Sequence, residues 1–183
     1  MSGKLRIIGG EWRSRLITFD DAPGLRPTPA RVRETLFNWL RLDVANSRCL
    51  DLFAGSGALG FEAASRGARA VVQVESNLAT CNKLLENIAL LNARQISVER
   101  MDVLRYLQTC NQQFDLVFLD PPFSLDLIRP VCRQLLDGKL LAPKAKIYVE
   151  AERDFQFEQM PAEWRLLKQK TAGEVSFGLF QLG

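Results

Sequence analysis

The residues with the clearest chemical potential form a short run, Asp120, Pro121, Pro122 and Phe123. The run follows residues 114–119, whose apolar and β-favouring side chains predict a buried strand. Two consecutive prolines end that strand, because neither has an N–H to donate to a neighbouring strand. A carboxylate, carbonyl acceptors and an aromatic ring therefore stand together at the carboxyl end of a strand, where open α/β sheets bind ligands. Such a site suits a planar base with an exocyclic amino group, since the acceptors can take the N–H protons while the ring stacks on the base.

A glycine-rich turn forms the second chemical motif. Gly55, Ser56 and Gly57 open a G-x-G-x-x-G pattern that is complete at Gly60. Glycines let a backbone turn tightly and approach a ligand closely. Glu75 follows twenty residues after Gly55, at the end of a second predicted strand, where a carboxylate can hold the hydroxyls of a ribose. Because the pattern lies between a predicted strand and a predicted helix and has its acid in place, it predicts a ribose-containing cofactor rather than an incidental turn.

Two acidic residues help to choose between a dinucleotide and S-adenosylmethionine as that cofactor. Asp51, four residues before Gly55, would repel a pyrophosphate but attract the ammonium group of an amino acid. It therefore favours S-adenosylmethionine, although a turn-forming aspartate is the plainer interpretation of this residue. Asp102, just after a third predicted strand, can accept from an adenine amino group, cap the following helix, or do both.

These motifs need a scaffold that brings the ends of several strands together, and the hydrophobic pattern predicts one. Predicted strands and helices alternate from residue 48 onward, after a helix at residues 30–40. The predicted strands cover residues 48–53, 70–75, 96–98, 114–119 and 145–150, and the predicted helices cover 58–66, 77–91, 102–107 and 125–136. Repeated βα units predict a parallel sheet covered by helices on both faces. At the end, residues 164–170 and 175–182 flank Ala172 and Gly173 and predict an antiparallel hairpin.

Composition excludes several kinds of chemistry. The 183-residue chain contains no histidine, which removes Ser-His-Asp and Cys-His nucleophilic systems and histidine-based metal sites. Its four cysteines form no C-x-x-C pair, so we expect reduced thiols, no metal and a cytoplasmic location. No apolar run approaches the roughly 20 residues of a membrane helix, and we expect no membrane association.

Positive charge is concentrated at the start of the chain. Residues 1–41 hold eight Lys or Arg against four Asp or Glu, which gives +4, whereas the whole chain carries +3. A basic extension on a near-neutral body predicts a polyanionic partner, and the interleaved Trp12 favours nucleic acid over a merely solvated surface. We expect a boundary near residues 42–47, with a basic N-terminal RNA-binding extension and helix at 1–41 and a catalytic domain at 42–183.

Taken together, the motifs resemble a known enzyme family. Residues 51–57 and the Asp120–Phe123 run are similar to those of class I S-adenosylmethionine-dependent methyltransferases that modify amino groups. Residues 6–13, 25–28 and 31–39 narrow the resemblance to the RsmD family, and it extends over nearly the whole chain. The resemblance implies an α/β, Rossmann-like fold with a seven-stranded, mostly parallel sheet, helices on both faces, a C-terminal antiparallel hairpin and a short basic N-terminal hairpin and helix. It also implies methyl transfer to the N2 amino group of one guanine in 16S ribosomal RNA of the small ribosomal subunit, and we expect the enzyme to be a monomer.

The expected roles fall on residues of these motifs. The predicted catalytic residues are Asp120, Pro121, Pro122 and Phe123, with Asp120 and the Pro121 carbonyl accepting from the amine and Phe123 stacking on the base. The predicted cofactor-binding residues are Asp51, Phe53, Ala54, Gly55, Ser56, Gly57, Glu75, Ser76, Asp102, Val103, Arg26 and Thr28, of which the last two lie in a proline-stiffened loop that could close over cofactor and base. The predicted RNA-binding residues are Lys4, Arg6, Trp12, Arg13, Arg15, Arg31 and Arg33.

Three other functions fit part of the pattern. An amino-methyltransferase acting on DNA or protein could use the same Asp-Pro-Pro-Phe platform. A nicotinamide-dependent oxidoreductase fits the glycine turn but leaves the Asp120–Phe123 run unexplained. A non-catalytic RNA-binding module accounts only for the basic N-terminal segment.

Overall fold

The structure is a computed structural model that describes residues 2–183, apart from the side chain of Leu125. Met1, which the predicted N-terminal extension includes, lies outside the described residues. Within this range the chain forms a two-stranded hairpin and a seven-stranded sheet. The hairpin consists of β1 (Ser2–Arg6) and β2 (Leu16–Asp20), and the sheet of β3 (Arg48–Asp51), β4 (Ala70–Glu75), β5 (Ile96–Arg100), β6 (Phe114–Leu119), β7 (Leu141–Glu152), β8 (Trp164–Ala172) and β9 (Val175–Leu182).

The sheet has the strand order β5-β4-β3-β6-β7-β9-β8. Neighbouring strands from β5 to β7 run parallel, whereas β9 pairs antiparallel with both β7 and β8. The predicted sheet and its C-terminal antiparallel hairpin are therefore confirmed. Because β3, β4 and β6 are adjacent and parallel, their carboxyl ends meet at one edge of the sheet, and this brings the two sequence motifs together.

Helices cover both faces of the sheet, as predicted. They are α1 (Ala30–Trp39), α2 (Ala58–Ser65), α3 (Leu78–Leu91), α4 (Val103–Thr109) and α5 (Ile128–Asp137). Successive strand residues point to opposite faces, so Cys49 joins the hydrophobic cluster under α1, α2 and α3 while Leu50 joins the cluster under α4 and α5. Among the described residues, no helix combines the length and the apolar character that a membrane span requires.

Local sequence signals set the ends of several helices. The side chain of Asn77 accepts a hydrogen bond from the Thr80 N–H and so caps α3, as the sequence predicts. Asp102 caps α4 in the same way by accepting from the Arg105 N–H. The predicted helix at 125–136 instead begins at Ile128, because a short 3-10 turn (Phe123–Leu125) and Asp126 in a left-handed conformation (φ 45°) come first.

The N-terminal hairpin packs on the same face of the sheet as α3. The Asn87 side chain of α3 accepts from the Thr18 N–H at 3.1 Å and donates to the Thr18 carbonyl at 2.7 Å. Apolar side chains that include Leu5 and Ile17 belong to the cluster that also contains the sheet residue Cys49. The division of the chain at residues 41 and 42 stays a prediction, and the two parts share one hydrophobic cluster.

Trp12 corrects one sequence-based expectation. Its side chain is only 5% exposed and belongs to the same hydrophobic cluster. The backbone N–H of Trp12 donates to the Ser65 hydroxyl of α2 at 2.9 Å. The prediction that Trp12 contacts RNA is wrong for this structure, because the ring anchors the hairpin to α2 and has no free face.

Candidate active site

A cavity of about 920 Å³ opens at the carboxyl ends of β3, β4 and β6. Its floor is formed by the residues that follow these strands, and its roof by the loop at residues 22–29, which we call the lid loop. The turn between β8 and β9, at residues 172–175, closes one side. The cavity therefore combines segments that are far apart in sequence and meet only through the strand order.

The glycine turn shapes the floor of this cavity. Gly55 has a left-handed backbone (φ 52°), and a Cβ at this position would make only ordinary van der Waals contact, with Leu25 of the lid loop at 3.8 Å. The Gly55 N–H donates to one carboxylate oxygen of Glu75 at 3.0 Å, and the other oxygen accepts from the Asn77 N–H at 3.0 Å. The predicted ribose-binding carboxylate is thus held rigidly beside the turn, and each of its oxygens keeps a lone pair for a further donor.

Gly57 has a different role from Gly55. It also has a left-handed backbone (φ 81°), but a Cβ there would lie 2.6 Å from both Leu84 and Phe61, which are buried. Gly57 is the only residue of the predicted cofactor set that does not line the cavity within the described chain. Its glycine is required by packing between α2 and α3 rather than by approach of a ligand.

We expect Gly57→Ala to destabilise the protein by about 1–3 kcal/mol more than Gly55→Ala. Both variants place a Cβ on a left-handed backbone, which costs roughly 1–2 kcal/mol, but only Gly57→Ala adds the cost of overpacking a filled interior. Urea unfolding followed by circular dichroism measures the difference. Equal losses for the two variants would contradict the tight packing around Gly57.

Asp51 is almost completely buried beneath the glycine turn. Its side chain is 2% exposed, and one carboxylate oxygen accepts from the Gly60 N–H at 3.1 Å. Burial, assisted by the negative charge of Glu75, raises the pKa of Asp51 to about 7. Asp51 lines the floor of the cavity, where a cationic ligand would favour the ionised form of its carboxyl group.

The end of β6 carries a second acidic group, which is partly buried. Asp120 meets the lid loop, with its Oδ2 atom 3.3 Å from the Thr28 hydroxyl oxygen. The same hydroxyl lies 3.3 Å from Oε2 of Glu150 on β7, and the Tyr148 hydroxyl donates to this Glu150 oxygen at 2.8 Å. Burial and the nearby charge of Glu150 raise the pKa of Asp120 well above its usual range.

The comparisons with known proteins agree with this geometry. A family model described as "Conserved hypothetical protein 95" matches residues 5–181. "Ribosomal RNA small subunit methyltransferase D" of Escherichia coli K12 is 44% identical over 180 residues, which are 98% of this chain and 91% of that protein. The protein of the same name from Haemophilus influenzae is 45% identical over 98% of this chain and 94% of its own length. A solved Escherichia coli structure that is 43% identical superposes with a TM-score of 0.92 and covers 98% of each chain.

The chain belongs to the RsmD family of methyltransferases.

Family membership confirms the Rossmann-like methyltransferase fold, and the cofactor of this RsmD-family enzyme is S-adenosylmethionine. The residues of the cavity fit that molecule. Gly55 and the carboxyl groups of Glu75, Asp51 and Asp102 line the cavity, and these groups would suit its hydroxyl, ammonium and adenine amino groups. All predicted cofactor residues other than Gly57 line the cavity, as do the four predicted catalytic residues, so sequence motifs from five segments converge on one site.

The sequence prediction missed several members of the site. Glu150 and Tyr148 complete the hydrogen-bonded group around Asp120, and the turn at residues 172–175 forms part of the wall. Glu150 could have been noticed as an acid two residues after a tyrosine in the predicted strand at 145–150, since residues two apart on a strand share a face. For the turn at 172–175, the sequence carries no signal of cavity contact, because its position depends on how β9 inserts beside β7.

Most of the predicted RNA-binding residues lie on the surface. Lys4, Arg6, Arg13, Arg15 and Arg31 are exposed, and Arg31 also lines the mouth of the cavity. Arg33 is the exception, because its side chain is buried and pairs with the buried carboxylate of Glu62 at 3.4 Å. It also donates to the backbone carbonyls of Thr28 and Arg6, at 3.1 and 3.0 Å. The prediction that Arg33 contacts RNA is therefore wrong, and its side chain instead joins the lid loop to the N-terminal hairpin.

Proposed function

We propose that this RsmD-family methyltransferase transfers a methyl group from S-adenosylmethionine to the exocyclic N2 amino group of a guanine in 16S ribosomal RNA of the small ribosomal subunit. The observation that carries the proposal is the position of the Asp120–Phe123 run, which opens into the same cavity as the glycine turn. The names of the relatives, which are small-subunit ribosomal RNA methyltransferases, support RNA as the substrate class. The guanine N2 atom is favoured because the site offers acceptors to an amino group on a planar ring.

The main contribution of the protein to this reaction is to position the amine relative to the methyl group. S-adenosylmethionine supplies a methyl group that is already electrophilic because it is bonded to a sulfonium. The amine is a poor nucleophile, since its lone pair delocalises into the ring. The carboxylate of Asp120 and the carbonyl of Pro121 would accept hydrogen bonds from the two N–H groups of the amine. These hydrogen bonds would favour a pyramidal nitrogen and stabilise the positive charge that develops on it. The ring of Phe123, which is 40% exposed at the cavity, would stack on the base after it leaves its neighbours.

Exposed basic residues provide a path for the RNA backbone toward this site. Lys4, Arg6, Arg13 and Arg15 are carried by the N-terminal hairpin and the residues that join its strands, and Arg31 lies at the cavity mouth. Such side chains hold phosphates without reading sequence, and they fix the orientation of the nucleic acid. We therefore propose that residues 1–41 bind RNA and that residues 42–183 carry the methyltransferase site. We further propose that the enzyme works as a monomer, and that it works in the cytoplasm because ribosomal RNA would be its substrate.

Transfer of labelled methyl from S-adenosylmethionine tests the proposed reaction directly. The substrate is small ribosomal subunits that lack their own methyl groups, and the labelled RNA is digested to nucleosides. Label in N2-methylguanosine is expected. Label found only in DNA or protein substrates offered in parallel would overturn the proposal in favour of another amino-methyltransferase with the same site.

The salt dependence of RNA binding tests whether the exposed basic residues of the N-terminal hairpin contact phosphates. Replacing Lys4 and Arg13 together by Ala should reduce the slope of log K against log salt concentration by about 1.4–1.8, because each phosphate contact contributes roughly 0.7–0.9. The matched control replaces Arg105 and Arg133, which are exposed on the helices of the opposite face. Binding is measured by fluorescence anisotropy at several salt concentrations. The same slope in both double variants would show that the hairpin makes no special contribution.

A further inference from the structure

Thr28 stands between two carboxyl groups that share its one hydroxyl proton. Its oxygen is 3.3 Å from Asp120 Oδ2 and 3.3 Å from Glu150 Oε2. A hydroxyl can donate to only one of these oxygens, so the second contact is a hydrogen bond only when one carboxyl carries a proton and donates it to Thr28. Asp120, Thr28 and Glu150 are therefore arranged to share one proton in addition to the hydroxyl proton of Thr28.

Glu150 is the buried end of this arrangement. Its side chain is 5% exposed, whereas Asp120 is partly open to the cavity. The Tyr148 hydroxyl donates to the same Glu150 oxygen at 2.8 Å, which holds the carboxyl in place on β7. Neither Glu150 nor Tyr148 is needed for the acceptor role of Asp120 in the proposed methyl transfer, so the hydrogen-bonded order from Asp120 through Thr28 to Glu150 and Tyr148 points to a further role within this site.

We propose that Glu150 receives, through the hydroxyl of Thr28, the proton that the target amine loses on methylation. The inference rests on the proposed methylation of an amino group at Asp120. Glu150 acts through Thr28 and Asp120, and it is therefore a positioning residue for the reaction.

Methyl transfer and proton transfer take place in sequence. The nitrogen lone pair forms the N–CH₃ bond while the S–CH₃ bond breaks and leaves its electron pair on sulfur. The cationic nitrogen then gives one N–H proton to the carboxylate of Asp120. Thr28 accepts that proton on its oxygen while passing its own hydroxyl proton to Glu150. Asp120 is again ionised, and Glu150 holds the proton until the product leaves and solvent enters the cavity.

The pH dependence of the reaction follows from the charges around Asp120. The charged and titratable groups that face it, or share its cavity, are Glu150 and Tyr148 of β7, Asp51 of β3, Glu75 of β4, Asp102, Glu174, and the cations Arg26 and Arg31. Burial and the charge of Glu150 raise the pKa of Asp120, and burial raises that of Glu150. Activity should therefore rise as the pH increases through these raised pKa values, because the pair accepts the amine proton only after losing its own.

Three variants distinguish proton transfer from Asp120 to Glu150 from a purely structural role of these residues. Glu150→Gln removes the final acceptor and also the charge that raises the pKa of Asp120, so the single-turnover rate should fall on the order of 10²-fold while the acid limb of the pH profile moves to lower pH. Thr28→Val interrupts the same path but keeps the charge of Glu150, so it should lower the rate similarly without moving the acid limb downward. Thr28→Ser keeps a hydroxyl at this position and should therefore retain most of the wild-type rate.

A titration of the free protein gives a readout that does not depend on turnover. The carboxyl carbon of Asp120, labelled with ¹³C and assigned by comparison with Asp120→Asn, should titrate at lower pH in Glu150→Gln than in the wild type. Rates and titrations that are unchanged by Glu150→Gln, or acid limbs that move together in Glu150→Gln and Thr28→Val, would overturn the relay. If the product of the wild-type enzyme contains no N2-methylguanosine, the proposed function is overturned instead. The titration would still show whether Glu150 raises the pKa of Asp120.

Discussion

Replacement of Asp120 by Ala is expected to lower kcat by a factor on the order of 10²–10³, the range for loss of one preorganised electrostatic partner. The carboxylate is the charged acceptor at the end of β6, and the Pro121 carbonyl cannot compensate for the lost negative charge. The affinity for S-adenosylmethionine should change little, because the glycine turn and Glu75 do not contact Asp120. Methyl-transfer kinetics at saturating cofactor, together with calorimetric cofactor binding, measure the two effects separately.

Two further variants, one at another acid and one at Asp120 itself, serve as controls for Asp120→Ala. Asp154→Ala removes an exposed acid beyond the end of β7 and should leave kcat unchanged. Asp120→Asn keeps an amide oxygen as an acceptor and should retain more activity than Asp120→Ala. Thermal stability should not fall in Asp120→Ala, since the variant removes a partly buried acid whose charge is unfavourable beside that of Glu150. Near-normal turnover with bound cofactor would show that Asp120 is not the acceptor.

Replacement of Glu62 by Gln is expected to destabilise the protein by about 3–5 kcal/mol, the range for removing one partner of a buried ion pair. Glu62 is fully buried on α2 and pairs with Arg33 at 3.4 Å and Arg66 at 2.9 Å. Its two oxygens also accept from the N–H groups of Ile8 and Gly9, at 3.0 and 2.8 Å. The variant leaves the Arg33 guanidinium buried without its counter-charge, and burial already lowers the pKa of that group.

A matched surface pair provides the comparison. Glu86→Gln removes an equivalent charge from an exposed ion pair with Lys83 on α3, and we expect no measurable change in stability. Urea unfolding of both variants at neutral pH, followed by circular dichroism, gives the two free energies. Similar losses in Glu62→Gln and Glu86→Gln would mean that the buried cluster does not hold the hairpin to α2.

The features predictable from sequence are those fixed by local rules. Alternating apolar strands and capped helices predict the parallel sheet, and Asn77 and Asp102 cap the helices that follow them. Because ligand sites of parallel sheets lie at the carboxyl ends of strands, the glycine turn and the Asp120–Phe123 run could be assigned to the same edge before their distance was known. The same rule placed Glu75 beside Gly55, where the two groups are joined by a hydrogen bond.

The errors concern residues whose environment depends on tertiary packing. Trp12 and Arg33 belong to a basic, aromatic segment that resembles an RNA-binding surface, but α2 supplies a buried carboxylate at Glu62 and an apolar surface that turn both side chains inward. Glu150 was missed for the converse reason. Glu150 becomes part of the site only through its contact with Thr28. Thr28 lies more than a hundred residues earlier in the sequence and reaches Glu150 only because the lid loop crosses the end of β7.

The C-terminal hairpin has a consequence for how the sheet ends. β8 is an outer strand of nine residues, long enough to recruit a strand from another molecule and so begin aggregation. Its exposed side chains include Arg165, Lys168 and Lys170, and its pairing with β9 changes register between Leu166 and Lys168. Positive charges repel a second copy of the same strand, and the irregularity twists the backbone away from a flat partner. The hairpin that completes the wall of the cavity thus also protects the sheet from growing beyond one chain.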